Sequence, residues 1–174
     1  DPLTGRVFVS GDDQVDVFDA AGQHVATIDG QPGAAAMAVA DGQLYVVRST
    51  AGSIARFDTA TLAETGVWAT NVPVDFGLAV VGDAIWFTPT GSSVSLRKLD
   101  LNNGEITDRG GSFTNARLLA VPGVDDRLLV FGAGRSRLRH IDISGATVQT
   151  INDVYGGGNM HQVSTDETGT RVLT

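Results

Sequence analysis

Cysteine is absent from this 174-residue chain, which excludes disulfide bonds and thiolate metal sites. Lysine occurs once, as Lys98, beside eleven arginines, and the 20 acidic residues outnumber the 12 basic ones for a net charge of −8. A chain of that sign is a poor general nucleic-acid binder, because phosphate neutralisation needs a basic surface. It is equally poorly suited to adhesion on anionic membranes. No apolar run approaches the roughly 18 residues that span a bilayer, so no transmembrane segment is expected. No secretory leader is visible either. The chain begins at Asp1, which reads as a processed or excised product that would have lost one. Prolines are few, at five, whereas glycines number 22, the balance expected of many tight turns between short strands. With 42% hydrophobic and 18% charged residues, the composition is that of an ordinary globular chain rather than a disordered one.

A repeat organises those turns. An apolar residue followed by Asp closes an alternating run four times, as Val17-Phe18-Asp19, Arg56-Phe57-Asp58, Lys98-Leu99-Asp100 and His140-Ile141-Asp142. The aspartates are 39, 42 and 42 residues apart, and a near-constant spacing of that size marks repeated supersecondary units. Each Asp leads into a small polar turn (Ala20-Ala21-Gly22-Gln23 in the first unit) and then a second run, His24 to Ile28, Thr65 to Ala69, Ile106 to Asp108 and Thr147 to Ile151. Upstream lies another hairpin. Its small apolar strand is Ala35 to Ala40, Phe76 to Val81, Leu118 to Val121 and, in the last unit, His161 to Thr165. An Asp- or Gly-bearing turn follows, then a bulkier strand: Leu44 to Arg48, Ile85 to Thr88, Leu128 to Phe131 and Val172 to Thr174.

The unit is therefore four antiparallel strands, a to d. Strand a is small because inner strands crowd a central axis. Strand b is bulky because both of its faces meet neighbouring units, and c and d gain charge towards solvent. The fold class is all-β, with β-propeller blades in four repeats of a four-stranded antiparallel sheet, about 17 strands in all, incomplete at both ends. The units fall at approximately 1–30, 31–70, 71–113, 114–154 and a partial 155–174, within one propeller or propeller segment. Gly77-Leu78-Ala79-Val80, Asp41-Gly42 and Phe57-Asp58-Thr59-Ala60-Thr61 resemble the YVTN-type repeat propellers, including their bacterial exported members. The fourth unit departs, with Leu118 for the glycine and Asp125-Asp126 in the turn. The resemblance specifies architecture and is nearly silent on activity. Repeats of that family close at about seven blades, so the reading favours an open arc over a closed four-bladed ring. Exposed blade faces would then seek another copy or a protein partner.

Candidate chemistry concentrates in the loops from strand d to the next strand a: Gln31-Pro32-Gly33, Asn71 to Asp75, Gly110 to Arg117, and Tyr155 to His161. The ligand-binding candidates there are Asp75, Asn115, Arg117, Asn159 and His161. His161 stands where the repeat takes a small residue, behind three glycines that permit close backbone approach. Asp75, Asn115 and Asn159 occupy comparable positions, as in calcium-dependent propeller lactonases, although only one of the three is acidic. His24, His140 and His161 are dispersed, which disfavours a histidine zinc site; His161 alone is the metal candidate. Asp100 to Glu105 has its glycine one place early for a calcium loop and reads as a hairpin turn. Arg135, Arg137 and Arg139 share one strand face, as an anion or partner patch, or as a solvated outer strand or cross-strand partners of acids. Trp68 and Trp86 read as core.

The expectation is a non-catalytic scaffold or binding module of an exported or cell-envelope bacterial protein (extracellular or periplasmic), with no catalytic residues and no cofactor. The alternatives are a segment of a propeller lactonase or hydrolase with a cation at the channel mouth, and an exported metal carrier using His161 with ligands from outside this segment, calcium or zinc being the metals in question.

Overall fold

The computed structural model describes residues 1–132, 137–155, 164–165 and 172–173. Among them are seventeen strands and no helix. The chain divides into two compact units, Asp1–Asp75 and Phe76–Thr174.

In the first unit, β1 (Val7–Ser10), β2 (Gln14–Phe18) and β3 (His24–Asp29) form a three-stranded antiparallel sheet. β4 (Ala34–Ala40), β5 (Gln43–Arg48), β6 (Ser53–Asp58) and β7 (Glu64–Ala69) form a four-stranded one in chain order. Val15 and Val17 of the first sheet, with Ile28, pack on Leu44, Val46, Ala55 and Phe57 of the second. In the second unit the sheets are β8 (Gly77–Val81), β9 (Ala84–Thr88), β10 (Arg97–Asp100) and β11 (Ile106–Asp108), then β12 (Ala116–Ala120), β13 (Arg127–Gly132), β14 (Arg137–Asp142) and β15 (Gln149–Tyr155). Their core joins Ala79, Trp86 and Leu96 to Ala116, Leu118, Leu128, Val130 and Ile141. β16 (Ser164–Thr165) pairs with β17 (Val172–Leu173).

Burial follows the sequence argument. All five residues of β9 are buried, as are the central four of β5 and of β13, so the second strand of each four-stranded sheet is covered on both faces. Fully burying one such Leu or Ile contributes about 1.5–3 kcal/mol. The outer β7 is exposed or half-buried throughout. Trp68 sits on it half-buried, with the Arg56 guanidinium 5.3 Å from its ring. It is therefore not the core residue expected, whereas Trp86 is.

The repeated aspartate has a local cause. Oδ1 of Asp19, Asp58, Asp100 and Asp142 accepts the backbone N–H two residues on, from Ala21 (2.9 Å), Ala60 (3.0 Å), Asn102 (2.9 Å) and Ser144 (2.8 Å). This Asx turn closes the c–d hairpin. The following residue's N–H then reaches the a–b turn of its own blade: Thr59 to Gly42 O (2.9 Å), Leu101 to Asp83 O (2.9 Å) and Ile143 to Asp126 O (3.0 Å). Three c–d ladders also carry a bulge at the anchor, between Val17/Phe18, Arg56/Phe57 and His140/Ile141. The bulge leaves Val25 and Ile151 unopposed, and both are half exposed. A bulge beside an Asx turn strengthens the local twist.

The largest boundary differences from expectation fall in the fourth repeat. Strand a is Ala116–Ala120 rather than Leu118 to Val121, and strand d is Gln149–Tyr155 rather than Thr147 to Ile151. Thr88 Oγ1 donates to Ala116 O (3.0 Å), which ties the start of β12 to β9.

A candidate anion groove on the loop rim

Four antiparallel strands in chain order place the b–c and d–a loops at one end of a blade and the a–b and c–d loops at the other. On the first of these rims, the b–c loop joining β9 to β10 is long. It spans 89–96, against 49–52 between β5 and β6. Rather than projecting as a free loop it adds pairing of its own. Val94 forms a bridge with Phe113, N–H to carbonyl in both directions at 2.9 and 2.8 Å. Leu96 N–H reaches Gly110 O (2.9 Å) and Arg109 N–H reaches Leu96 O (2.8 Å). Asn115 completes the clasp: its N–H donates to Gly91 O (3.1 Å) and its Oδ1 accepts from Gly91 N–H (3.0 Å). With φ at 41°, Asn115 adopts the left-handed conformation that asparagine tolerates better than most residues.

These two segments and the rim ends of β13 and β14 enclose a groove of about 250 Å³. Val130, Ala116, Gly132 and Phe113 line it together with Ser93, Ser112, Thr114, Arg137 and Arg139. Both arginines are held in place. Nε of Arg137 donates to the two carboxylate oxygens of Asp153, at 2.7 Å each, and Nη2 donates to Oδ2. Arg139 Nη1 donates to Ser112 O (2.8 Å), and its guanidinium lies 5.3 Å from the Phe113 ring centre. The hydrogen bond from Arg137 holds the Asp153 carboxyl below its ordinary value against the cost of burial, and the charges of Arg137 and Arg139 act the same way. A fixed guanidinium loses less freedom on meeting an anion than a mobile one does.

The sequence-derived candidates distribute differently. Asn115 adjoins the groove, but its side chain is committed to Gly91. Arg117 is exposed on β12, paired with Phe131. Its neighbours Ala116 and Leu118 point to the opposite face, into the core. Asp75 is half-buried just before β8 and belongs to the first compact unit. Asn159, His161 and Arg135 lie outside the described residues, so the calcium trio is placed only in part and the metal candidate His161 is not placed. Among the described residues no three His, Cys, Asp or Glu side chains converge. Asp100 to Glu105 is a hairpin turn as expected, closed by Gly104 N–H to Asp100 O (2.8 Å) and Asp100 N–H to Glu105 O (3.0 Å). Of the groove's side chains, the Arg alternation alone was visible in advance. Ser93, Ser112 and Thr114 carry no sequence signal beyond the length of their loops.

This arrangement of blades is that of a partial β-propeller. Solved structures similar to the chain include BamB from Moraxella catarrhalis (TM-score 0.62, 17% identity, covering 92% of this chain and 50% of that one). A Kuenenia stuttgartiensis hydrazine synthase chain is also similar (0.71, 14%, 97% and 51%), as is a streptogramin B lyase (0.64, 14%, 84% and 50%). The chain thus spans about half the length of each, and at these identities the likeness is one of fold. No family model and no curated protein matches the sequence.

Proposed function

We propose that the chain is a non-catalytic β-propeller binding module, part of an exported or cell-envelope bacterial protein, that engages a partner protein through its b–c and d–a loop rim. The observation that supports this most is the long 89–96 loop, tied by backbone hydrogen bonds to 109–115 so that the two frame a concave polar groove. Rigid loops on a propeller scaffold are where such proteins place recognition. The opposite rim is consumed by the Asx turns and their bonds to the a–b turns. The exported setting rests on the resemblance of the repeat alone. On the same reading, Val7 and Val9, exposed on β1, are covered by a second copy or another chain.

Photo-crosslinking tests the rim assignment. A benzophenone residue at Thr114, on the loop rim, should give an adduct of defined mass in extract of the source cells. The same residue at Asn102, on the other rim, should not. Equal labelling from both positions, or adducts from Asn102 alone, would sink the reading.

A further inference from the structure

We infer that Asn103 is a site of spontaneous covalent modification, converting to a mixture of aspartate and isoaspartate in the c–d turn of the third blade. Asn103 is followed by Gly104, whereas Asn71, Asn102, Asn115, Asn152 and Asn159 precede Val72, Asn103, Ala116, Asp153 and Met160. The chemistry requires the next residue's backbone nitrogen to reach the asparagine carboxamide, and glycine has no Cβ to obstruct it. The equivalent turns place Ala21 before Gly22 and Ser144 before Gly145, so of the four c–d turns the third alone puts a carboxamide before its glycine. Asn103 is exposed and Gly104 half-buried, the latter with φ at 76°. Asp29-Gly30 and Asp41-Gly42 share the glycine, but an ionised carboxylate is a poor electrophile beside a neutral carboxamide.

The turn supplies part of the machinery. Asn103 Oδ1 accepts the Glu105 N–H at 2.8 Å, a donor placed on the oxygen where negative charge develops. Gly104 N loses its proton to hydroxide and bonds to Asn103 Cγ; the carboxamide C–N bond breaks, and ammonia leaves with a proton from water. Water then opens the cyclic imide. Attack at the former side-chain carbonyl gives aspartate, and attack at the main-chain carbonyl gives isoaspartate, whose backbone runs through Cβ. One bond opposes the first step, from Gly104 N–H to Asp100 O at 2.8 Å. The strand behind the turn is short: β11 has three residues, against six in β3 and β7 and seven in β15. That end of the hairpin therefore opens locally at small cost. The isoaspartyl product lengthens the turn, disturbing the bond from Asp100 N–H to Glu105 O and the tie from Leu101 N–H to Asp83 O.

The test is to age the 174-residue chain in mildly alkaline and mildly acidic buffer, beside the acetylated and amidated peptide of residues 100–105. Expected is an acidic satellite on ion exchange that grows in proportion to hydroxide. It should map to residue 103 by electron-transfer fragmentation and accept methyl groups from S-adenosylmethionine and an isoaspartyl methyltransferase. Conversion should run no more than about a hundredfold slower than in the peptide, the penalty of opening two hydrogen bonds. Asn103→Ser should abolish the satellite and Asn102→Ser should leave it. In the separated isoaspartyl form, the amides of Leu101 and Gly104 should exchange faster. Modification mapping mainly to another asparagine, a satellite that persists in Asn103→Ser, a rate indifferent to hydroxide, or conversion slower than that hundredfold bound would each overturn the inference.

Discussion

Among the described glycines of the second unit Gly77 is the most sharply constrained, and replacing it with alanine tests the packing of β8 on β12. A Cβ there would fall on the Ala116 carbonyl oxygen, far inside the 3.0 Å that real Cβ atoms respect, and 2.9 Å from Thr88 Oγ1. Neither neighbour can swing aside. Ala116 O is backbone, and it accepts the buried hydrogen bond from Thr88. Relief requires β8 and β12 to separate across the shared core of Ala79, Trp86, Leu118 and Val130. Overpacking of this kind costs about 1–3 kcal/mol, and losing the Thr88–Ala116 bond adds about 0.5–1.5 kcal/mol. Together these predict a loss of about 2–4 kcal/mol, or a fall in Tm of about 5–15 °C. Urea unfolding followed by Trp86 emission, in a Trp68→Phe background, reads the core concerned. Gly145→Ala is the control, since its Cβ would meet nothing nearer than Thr147 O at 3.4 Å, and it should stay within about 0.5 kcal/mol of the parent. A Gly77→Ala protein as stable as that control would refute the close approach of the two strands.

Leu44, fully buried between the first two sheets, should lose about 2–5 kcal/mol on truncation to alanine, measured by the same denaturation. Asn115→Ala should lose about 1–2 kcal/mol, because Gly91 N–H forfeits its acceptor and alanine is forced to a positive φ. Faster amide exchange at Gly91 is the local readout. Five aspartates are held below the ordinary 3.8: Asp16 by Gln14 first, Asp58 by the Thr61 N–H, Asp108 by Ser95, Asp142 by Ser144 and Asp153 by Arg137. With folded values below unfolded ones, their stabilisation is complete above the ordinary value and is lost as pH falls through the depressed ones. The urea midpoint should therefore hold from about pH 7 to about pH 5 and drop below about pH 4, less steeply in Asp58→Asn/Asp142→Asn. A midpoint that rises on acidification would contradict this.

The blades were legible because each repeat states its turns in residue types with one mechanism. Asp19, Asp58, Asp100 and Asp142 announce Asx turns, and Asp41-Gly42 announces a two-residue hairpin in which both residues take positive φ, 49° and 71°. Small a strands and bulky b strands followed from crowding and two-sided burial. Boundaries were harder to read. Ala116 joins β12 because Thr88 holds its carbonyl, a contact between residues 28 apart in sequence. Trp68 misled because an aromatic in an alternating run looks like core, while the blade's outer strand and Arg56 together leave it half-buried.

The site was legible only in part. Rim loops could be located by topology, and Asn115 was singled out for its position, yet its work is to clasp Gly91. The groove depends on an unusually long b–c loop folding back onto the next d–a loop. No short-range pattern encodes that bridge between Val94 and Phe113. The alternation of Arg137 and Arg139 reads as a patch or as cross-strand partners of acids, and Arg137 does pair across the ladder with Asp153 of β15, both arginines being half-buried.

The central claim is that this rim is a built groove. The most direct measurement is a set of proton–proton NOEs at its two sides, between the backbones of Val94 and Phe113 and between the Phe113 ring and the Arg139 δ-methylene. The account predicts both sets, together with upfield ring-current shifts of the Arg139 protons and slow amide exchange at Val94 and Phe113. Absence of the Val94–Phe113 contacts, with residues 89–96 exchanging as an open loop, would contradict it.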